Sequence, residues 1–284
     1  MSLREIVART VAEISDDNCL GLAAQLAFYF FLALFPALLF LVALLGYLPM
    51  DQALVAMLSA LEPVAPHQLI ALLRDQIAEL RTGSPASVLT LGIVGAIWSS
   101  SAATVAIIDA LNRAYDVSEW RPWWKRRMLA LGLTIGLAVL IVAALLFVLA
   151  GPDVVRWAAA RFGFAPVFAA AWSVLRWPLI VFFVMLAIDL VYHFAPNLER
   201  DWTWVTPGSV LAMTLWVASS LAFKLYVSRF ADFNATHGAI GGIIVVLLWF
   251  YVSSFAILIG AELNGVLEQA RRDSTLHTNH ASTI

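Results

Sequence analysis

Apolar positions along the chain gather into six long runs separated by polar-containing breaks, the longest over residues 50–86; Leu22–Leu48, Met128–Leu149 and Ile240–Ala261 are the clearest runs. An α-helix rises about 1.5 Å per residue, so about 20 apolar residues cross a hydrocarbon layer about 30 Å thick. The pattern predicts an all-α, polytopic membrane protein. Its six transmembrane helices are expected at about residues 22–48, 88–111, 128–149, 177–194, 207–227 and 240–267. They make one domain over residues 1–268, and the polar tail 269–284 reads as a disordered cytoplasmic segment.

The breaks have their own pattern. Before the first run, Leu3, Ile6, Val7 and Ile14 fit a short amphipathic helix, and charges of both signs there argue against a secretory signal. Pro36 is expected to kink the first span. Residues 50–86 repeat Leu54, Met57, Leu58 and Leu61, then Leu69, Leu73, Ile77 and Leu80, at helical spacing, which predicts two amphipathic helices in an outer loop. The second span is rich in Gly, Ser and Ala, which let helices approach closely in lipid. Gly151 and Pro152 are expected to end the third span, with an amphipathic piece over Val154–Phe162 beyond it. Pro207 opens the fifth as a first-turn proline.

Composition agrees with this pattern. Of 284 residues, 62% are apolar and 13% charged, against roughly 25% charged in soluble domains. The net charge of -2 gives no argument for a nucleic-acid partner. A lone cysteine, Cys19, excludes an intrachain disulfide and reads as a small apolar filler. Orientation follows from Lys and Arg. Placing the N-terminus inside puts Arg4, Arg9, the five cations of the 112–127 loop, Arg200, Arg271 and Arg272 in the cytoplasm, a larger set than the outer one. Both termini are therefore expected in the cytoplasm.

Ionisable groups within spans cost about 2.5–3.5 kcal/mol each, so they need partners or a wet cavity. Gln25, Asp109, Asn112, Arg113, Asp189, His193, Glu262 and Asn264 lie toward the inner ends of four spans and are candidates for a polar cavity open to the cytoplasm. Interhelical hydrogen bonding explains the same residues without a cavity. Asp189 and His193, four apart, are expected to share a helix face and a hydrogen bond, and Arg113 to neutralise Asp109. On the other side, Arg229, Asp232, Asn234, His237, Gly238, Gly241 and Gly242 form a glycine-bearing loop at the mouth of the sixth span, a candidate outer gate. No nucleotide-binding, zinc or serine-hydrolase motif occurs in the sequence, so neither a catalytic residue nor a cofactor is expected.

Several stretches together resemble the YihY/BrkB family of bacterial inner-membrane proteins. They are Ala27-Phe-Tyr-Phe-Phe-Leu-Ala-Leu-Phe-Pro36, Ile97-Trp-Ser-Ser-Ser-Ala102, Ala110-Leu-Asn-Arg-Ala-Tyr115, Tyr192-His-Phe-Ala-Pro-Asn197, Pro207-Gly208, Phe233-Asn-Ala-Thr-His-Gly238 and Gly260-Ala-Glu-Leu-Asn264. The likeness covers about residues 20–268. His237 departs from it, standing where the family more often carries Tyr. The resemblance implies a six-span inner-membrane protein linked to envelope lipid handling, from a family whose older "ribonuclease BN" label is regarded as an error. The resulting expectation is a non-enzymatic transporter of an amphiphile, a lipid or lipid precursor. The alternative is a non-transporting scaffold that docks envelope proteins on residues 50–86 and 153–176. A membrane-bound hydrolase built on Asp109, Asp189 and Glu262 is the least favoured reading. The expected partners are membrane lipids and an amphiphilic substrate, not nucleic acid.

Overall fold

The computed structural model describes residues 1–46, 70–71, 74–75, 85–162, 165–229 and 233–281. Seven helices have described bounds: α1 Leu3–Asp16, α2 Cys19–Gly46, α3 Pro85–Ala114, α4 Trp123–Phe162, α5 Ala165–Phe194, α6 Pro207–Arg229 and α7 Phe233–Ala281. The described residues contain no strand.

Local chemistry explains where several helices start and stop. Ser2 and Glu5 form a reciprocal capping box: the Ser2 Oγ accepts from the Glu5 amide and the Glu5 carboxylate accepts from the Ser2 amide. Asn18 ends α1 in the left-handed region (φ 52°), and its Oδ1 accepts from the Gly21 amide to open α2. Asp116, at φ 51°, ends α3, with the Val117 amide reaching the Asn112 carbonyl and the Asp116 amide that of Arg113. Thr206 caps α6 just before Pro207.

Among the described residues, four helical segments are long and apolar enough to cross a membrane: Trp123–Ala144, Val174–Phe194, Pro207–Tyr226 and Gly241–Arg272. A fifth counts if α1 and the first part of α2, bent by 62° at their junction, form one broken span. Their outer surface is oily. Ile135, Val139 and Val142 of α4, Val217, Leu221 and Leu225 of α6, and Ile244 and Leu248 of α7 are all exposed. An apolar exterior of this extent suits lipid rather than water.

The helices run further than the polar breaks suggest. α4 continues through Gly151 and Pro152 to Phe162 instead of ending at Leu149, because a proline forfeits one backbone bond of a 40-residue helix. α5 begins at Ala165 and contains Pro178, so it starts a dozen residues before Trp177. α2 passes through Pro36 as continuous helix. α7 starts at Phe233 and carries on to Ala281. The segment holding Asn234, His237, Gly238, Gly241 and Gly242 is therefore helical rather than a loop, and the tail to Ala281 is helical rather than disordered. The proposed outer helices of residues 50–86 fall outside the described residues apart from positions 70–71, 74–75 and 85–86.

Small residues set the packing. Ala106, Ala110 and Leu258 meet Cys19, Leu22, Ala23 and Leu26 in one buried cluster. Ile108, Leu111, Tyr115, Tyr192, Ala212 and Ala261 lie in the other. The closest approach is between α6 and α7. A Cβ on Gly208 would collide with the Gly260 carbonyl, and one on Gly260 with the Gly208 carbonyl, the Tyr192 hydroxyl (2.6 Å) and the Ala212 Cβ (2.8 Å). Gly208→Ala and Gly260→Ala are each expected to destabilise the purified protein by about 1–3 kcal/mol through overpacking, read as a lowered thermal midpoint in detergent. Gly132→Ala and Gly136→Ala, where an added Cβ meets nothing within 4 Å, leave the midpoint unchanged or raise it.

Candidate functional site

Thr206 holds three helices together. Its hydroxyl donates to Asp189 Oδ1 of α5 (2.6 Å) and accepts from Asn264 Nδ2 of α7 (2.9 Å). The same oxygen accepts from the Ser209 amide (3.2 Å), while the Ser209 Oγ accepts from the Thr206 amide (3.2 Å) and donates to the Thr206 carbonyl (2.8 Å). Asn264 Oδ1 accepts from the Gly208 amide (2.9 Å), so this side chain satisfies a free donor of the first turn of α6. All of this is buried: Asp189 is 1% exposed and Asn264 6%. One Asp189 oxygen, Oδ2, has no hydrogen-bond partner in the structure.

A second network ties the two loops at this end of the bundle. Arg121 grips Glu119 through both oxygens (2.8 and 2.7 Å) and reaches the Ala195 carbonyl (2.8 Å). Asn112 donates to Glu119 (2.8 Å) and accepts from the Asn197 amide (2.7 Å). Burial alone would raise the Glu119 pKa, but the bonds from Arg121 and Asn112 outweigh it and hold the carboxyl below its ordinary value. Arg200 lies over the Tyr115 ring (4.9 Å to its centre), bonds its hydroxyl (3.3 Å) and donates to the Tyr192 carbonyl. The Tyr192 hydroxyl in turn donates to the Ile257 carbonyl of α7. Gln269 of α7 reaches Asp116. The start of α2, the end of α3, the end of α5, the start of α6 and the later half of α7 thus share one end of the bundle.

Two cavities adjoin Tyr192 and the Thr206 junction. An apolar one of about 320 Å³ lies among α2, α3, α4, α5 and α7, lined by Leu26, Phe30, Leu111, Ile141, Val184, Tyr192 and their neighbours. Ser254 also lines it, and its buried Oγ has no partner. A polar pocket of about 340 Å³ is bounded by Glu199, Arg200, Thr203, Thr206, Asn264, Glu268 and Arg271.

Of the expected cavity residues, Asp189 and Asn264 are brought together through the Thr206 hydroxyl that both bond, and Asn112 joins the loop network beside them. Glu262 is buried but forms a separate pair, accepting from the Cys19 Sγ at 3.0 Å. Cys19 is therefore a hydrogen-bond donor and more than an apolar filler. Gln25 faces outward. Asp109 is exposed and pairs with Arg126 (2.8 Å), not with Arg113, which is itself exposed. His193 makes no bond to Asp189; its ring packs edge-on against Phe194 and Trp202. The reason is geometric: Asp189 turns to the amide end of α6, whereas His193 turns to the aromatic rim. Asp109, Asp189 and Glu262 are not brought together, and no group of three His, Cys, Asp or Glu side chains able to hold a metal occurs among the described residues. The outer-gate residues are dispersed along the start of α7 and the end of α6, and Asp232 falls outside the described residues.

Thr206, Ser209 and Glu119 complete the site with Tyr115 and Asn197, which end two of the family-like stretches, and with Arg121 and Arg200, which the sequence marks only as cations. A signal existed for two of them. Thr-Pro-Gly-Ser at residues 206–209 reads as an N-cap, a first-turn proline and a polar third position.

This architecture defines a polytopic helical membrane protein with a buried polar junction at one end. The sequence profile described as "Virulence factor BrkB" matches residues 10–283, and the chain belongs to that family. It is 35% identical over 250 residues to the ribonuclease-like protein YfkH of Bacillus subtilis (strain 168), covering 88% of this chain and 90% of YfkH. It is 26% identical over 271 residues to the UPF0761 membrane protein RC1_0578 of Rhodospirillum centenum, covering 94% of this chain and 58% of that protein. The figures for the UPF0761 membrane protein Nmul_A0452 of Nitrosospira multiformis are 26% over 265 residues, 90% and 59%. The chain thus spans little more than half of these two longer relatives. No solved structure matches it.

Thr206→Val keeps the shape of the side chain and removes the hydroxyl shared by Asp189 and Asn264. It is expected to destabilise the protein by about 1–3 kcal/mol, the cost of stranding buried polar groups, whereas Thr206→Ser retains most of the stability. Thermal unfolding of both variants in detergent checks this.

Proposed function

We propose that this chain is a non-enzymatic, six-span protein of the bacterial inner membrane, with both termini in the cytoplasm. In this reading it takes up and moves an amphiphile, a lipid or lipid precursor, during envelope biogenesis. The carrying observation is the apolar cavity lined by Tyr192 together with the polar pocket lined by Arg200. The apolar cavity of about 320 Å³ falls within the range of small-ligand sites, about 300–1,000 Å³. Tyr192 lines it, and the Tyr192 carbonyl accepts from Arg200, which lines the polar pocket. An apolar space and a polar one, linked by the bond from Arg200 to the Tyr192 carbonyl, suit a molecule with an oily tail and a polar head.

The same cavity favours uptake over the scaffold role, which needs only a closed bundle with docking surfaces. A hydrolytic role has less support still. Each of the three carboxylates that could serve it is engaged by a different partner: Thr206, Cys19 or Arg126. The name of YfkH describes that protein and supplies no residues for RNA cleavage here.

Cavity filling tests the proposal. Ala144→Trp and Ala187→Trp each place a large ring where the apolar cavity lies. In proteoliposomes carrying fluorescent phospholipid or lysophospholipid, the wild-type protein is expected to move the probe across the bilayer, and each variant to lose most of that movement while remaining folded. A wild-type protein that moves neither probe under any imposed gradient would sink the reading.

A further inference from the structure

The start of α4 breaks an electrostatic rule. The amide end of a helix carries partial positive charge, so cations there are the wrong sign. Yet Lys125, Arg126 and Arg127 occupy the third to fifth positions of α4, and its first turn has no acidic residue. Among the described residues, the trio has one acidic partner, Asp109, which pairs with Arg126. Lys125 lies 5.5 Å from the centre of the Trp124 ring, and the Arg127 guanidinium lies 4.1 Å from that of Trp98. Arg127 also donates to the Trp98 carbonyl at 3.2 Å, but its Nε is buried with no hydrogen-bond partner. Neither ring supplies a counter-charge, so two full positive charges stand uncompensated beside a helix dipole of the same sign.

The surroundings say what kind of anion fits. Trp98, Trp123 and Trp124 are 63%, 70% and 57% exposed, and a candidate membrane span begins at Trp123. Exposed indoles at the start of a span mark the headgroup level of a bilayer. A membrane-embedded anion at that level is a phospholipid phosphate, and juxtamembrane cations attract anionic lipids.

We propose that the first turn and a half of α4 binds the headgroups of anionic phospholipids, with Lys125 and Arg127 attracting phosphate from different sides of the helix. Asp109 tunes the site by occupying Arg126. Both statements hold whether or not the internal cavity takes up an amphiphile.

The test is native mass spectrometry of the full chain in detergent, titrated with phosphatidylglycerol or phosphatidylcholine. The wild-type protein is expected to retain phosphatidylglycerol in preference to phosphatidylcholine. Each juxtamembrane cation contributes about fivefold to such binding. Lys125→Gln with Arg127→Gln is therefore expected to weaken phosphatidylglycerol binding about twenty-five-fold. Arg4→Gln with Arg9→Gln, which removes the same charge from α1, is expected to weaken it much less. Asp109→Asn frees Arg126 and is expected to tighten binding about fivefold, an effect that loss of fold cannot imitate. Equal retention of the two lipids would overturn the proposal, as would an equal loss in the Arg4/Arg9 pair or no gain from Asp109→Asn.

Discussion

A bilayer interior offers no water to a stranded polar group, and this constraint organises the chain. At the Thr206 junction, polar side chains from α5, the start of α6 and α7 are buried together and answer one another. Thr206 does most of the answering. One hydroxyl gives its proton to Asp189, receives one from Asn264 and caps its own helix. Hydroxyls and amides that bridge helices in lipid are worth about 1–2 kcal/mol in peptide systems and less in whole proteins. The greater consequence is geometric: the bonds fix the register of α5, α6 and α7 against one another.

That register then dictates which residues can be small. Asn264 can satisfy the Gly208 amide only if α6 and α7 nearly touch, and Gly208 and Gly260 make room for this. Gly265 plays the same part where α7 passes the Ala114 carbonyl at the end of α3. Tyr192, wholly buried, lines the apolar cavity, and its carbonyl accepts from Arg200, which lines the polar pocket. Polar junction, glycine contacts and cavities are therefore parts of one arrangement.

The sequence carries the class of fold plainly, because 62% apolar content in runs of spanning length has few other solutions. It also carries Asp189, Asn264 and Glu262, because an acid or amide within an apolar run needs a reason. Depth along a helix, however, does not tell direction around it. Gln25, Asp109 and Arg113 lie near the expected level but face outward, and His193 turns away from Asp189 although the spacing permits a bond. Glu262 lies at the right depth and finds Cys19, a partner that no local pattern indicates. Gly151 and Pro152 suggest an end that α4 does not take, and the glycines up to Gly242 suggest a later start than Phe233, where α7 begins. A single missing donor or side chain costs less than the continuity of a long apolar helix gives. Contacts between the loops, such as Asn112 with Asn197 and Arg121 with Ala195, depend on the folded arrangement and leave no trace in periodicity.

The central claim is that the polar junction, the basic 112–127 loop and both chain ends lie on the cytoplasmic side of one membrane domain. Single cysteines at Ser2, Ser118, Asp201 and Arg272, introduced on a Cys19→Ser background, can be probed with a membrane-impermeant thiol reagent in right-side-out and inverted vesicles. All four are expected to react in inverted vesicles and none in right-side-out ones. Labelling of Asp201 or Arg272 from the side opposite to Ser118 would contradict the account.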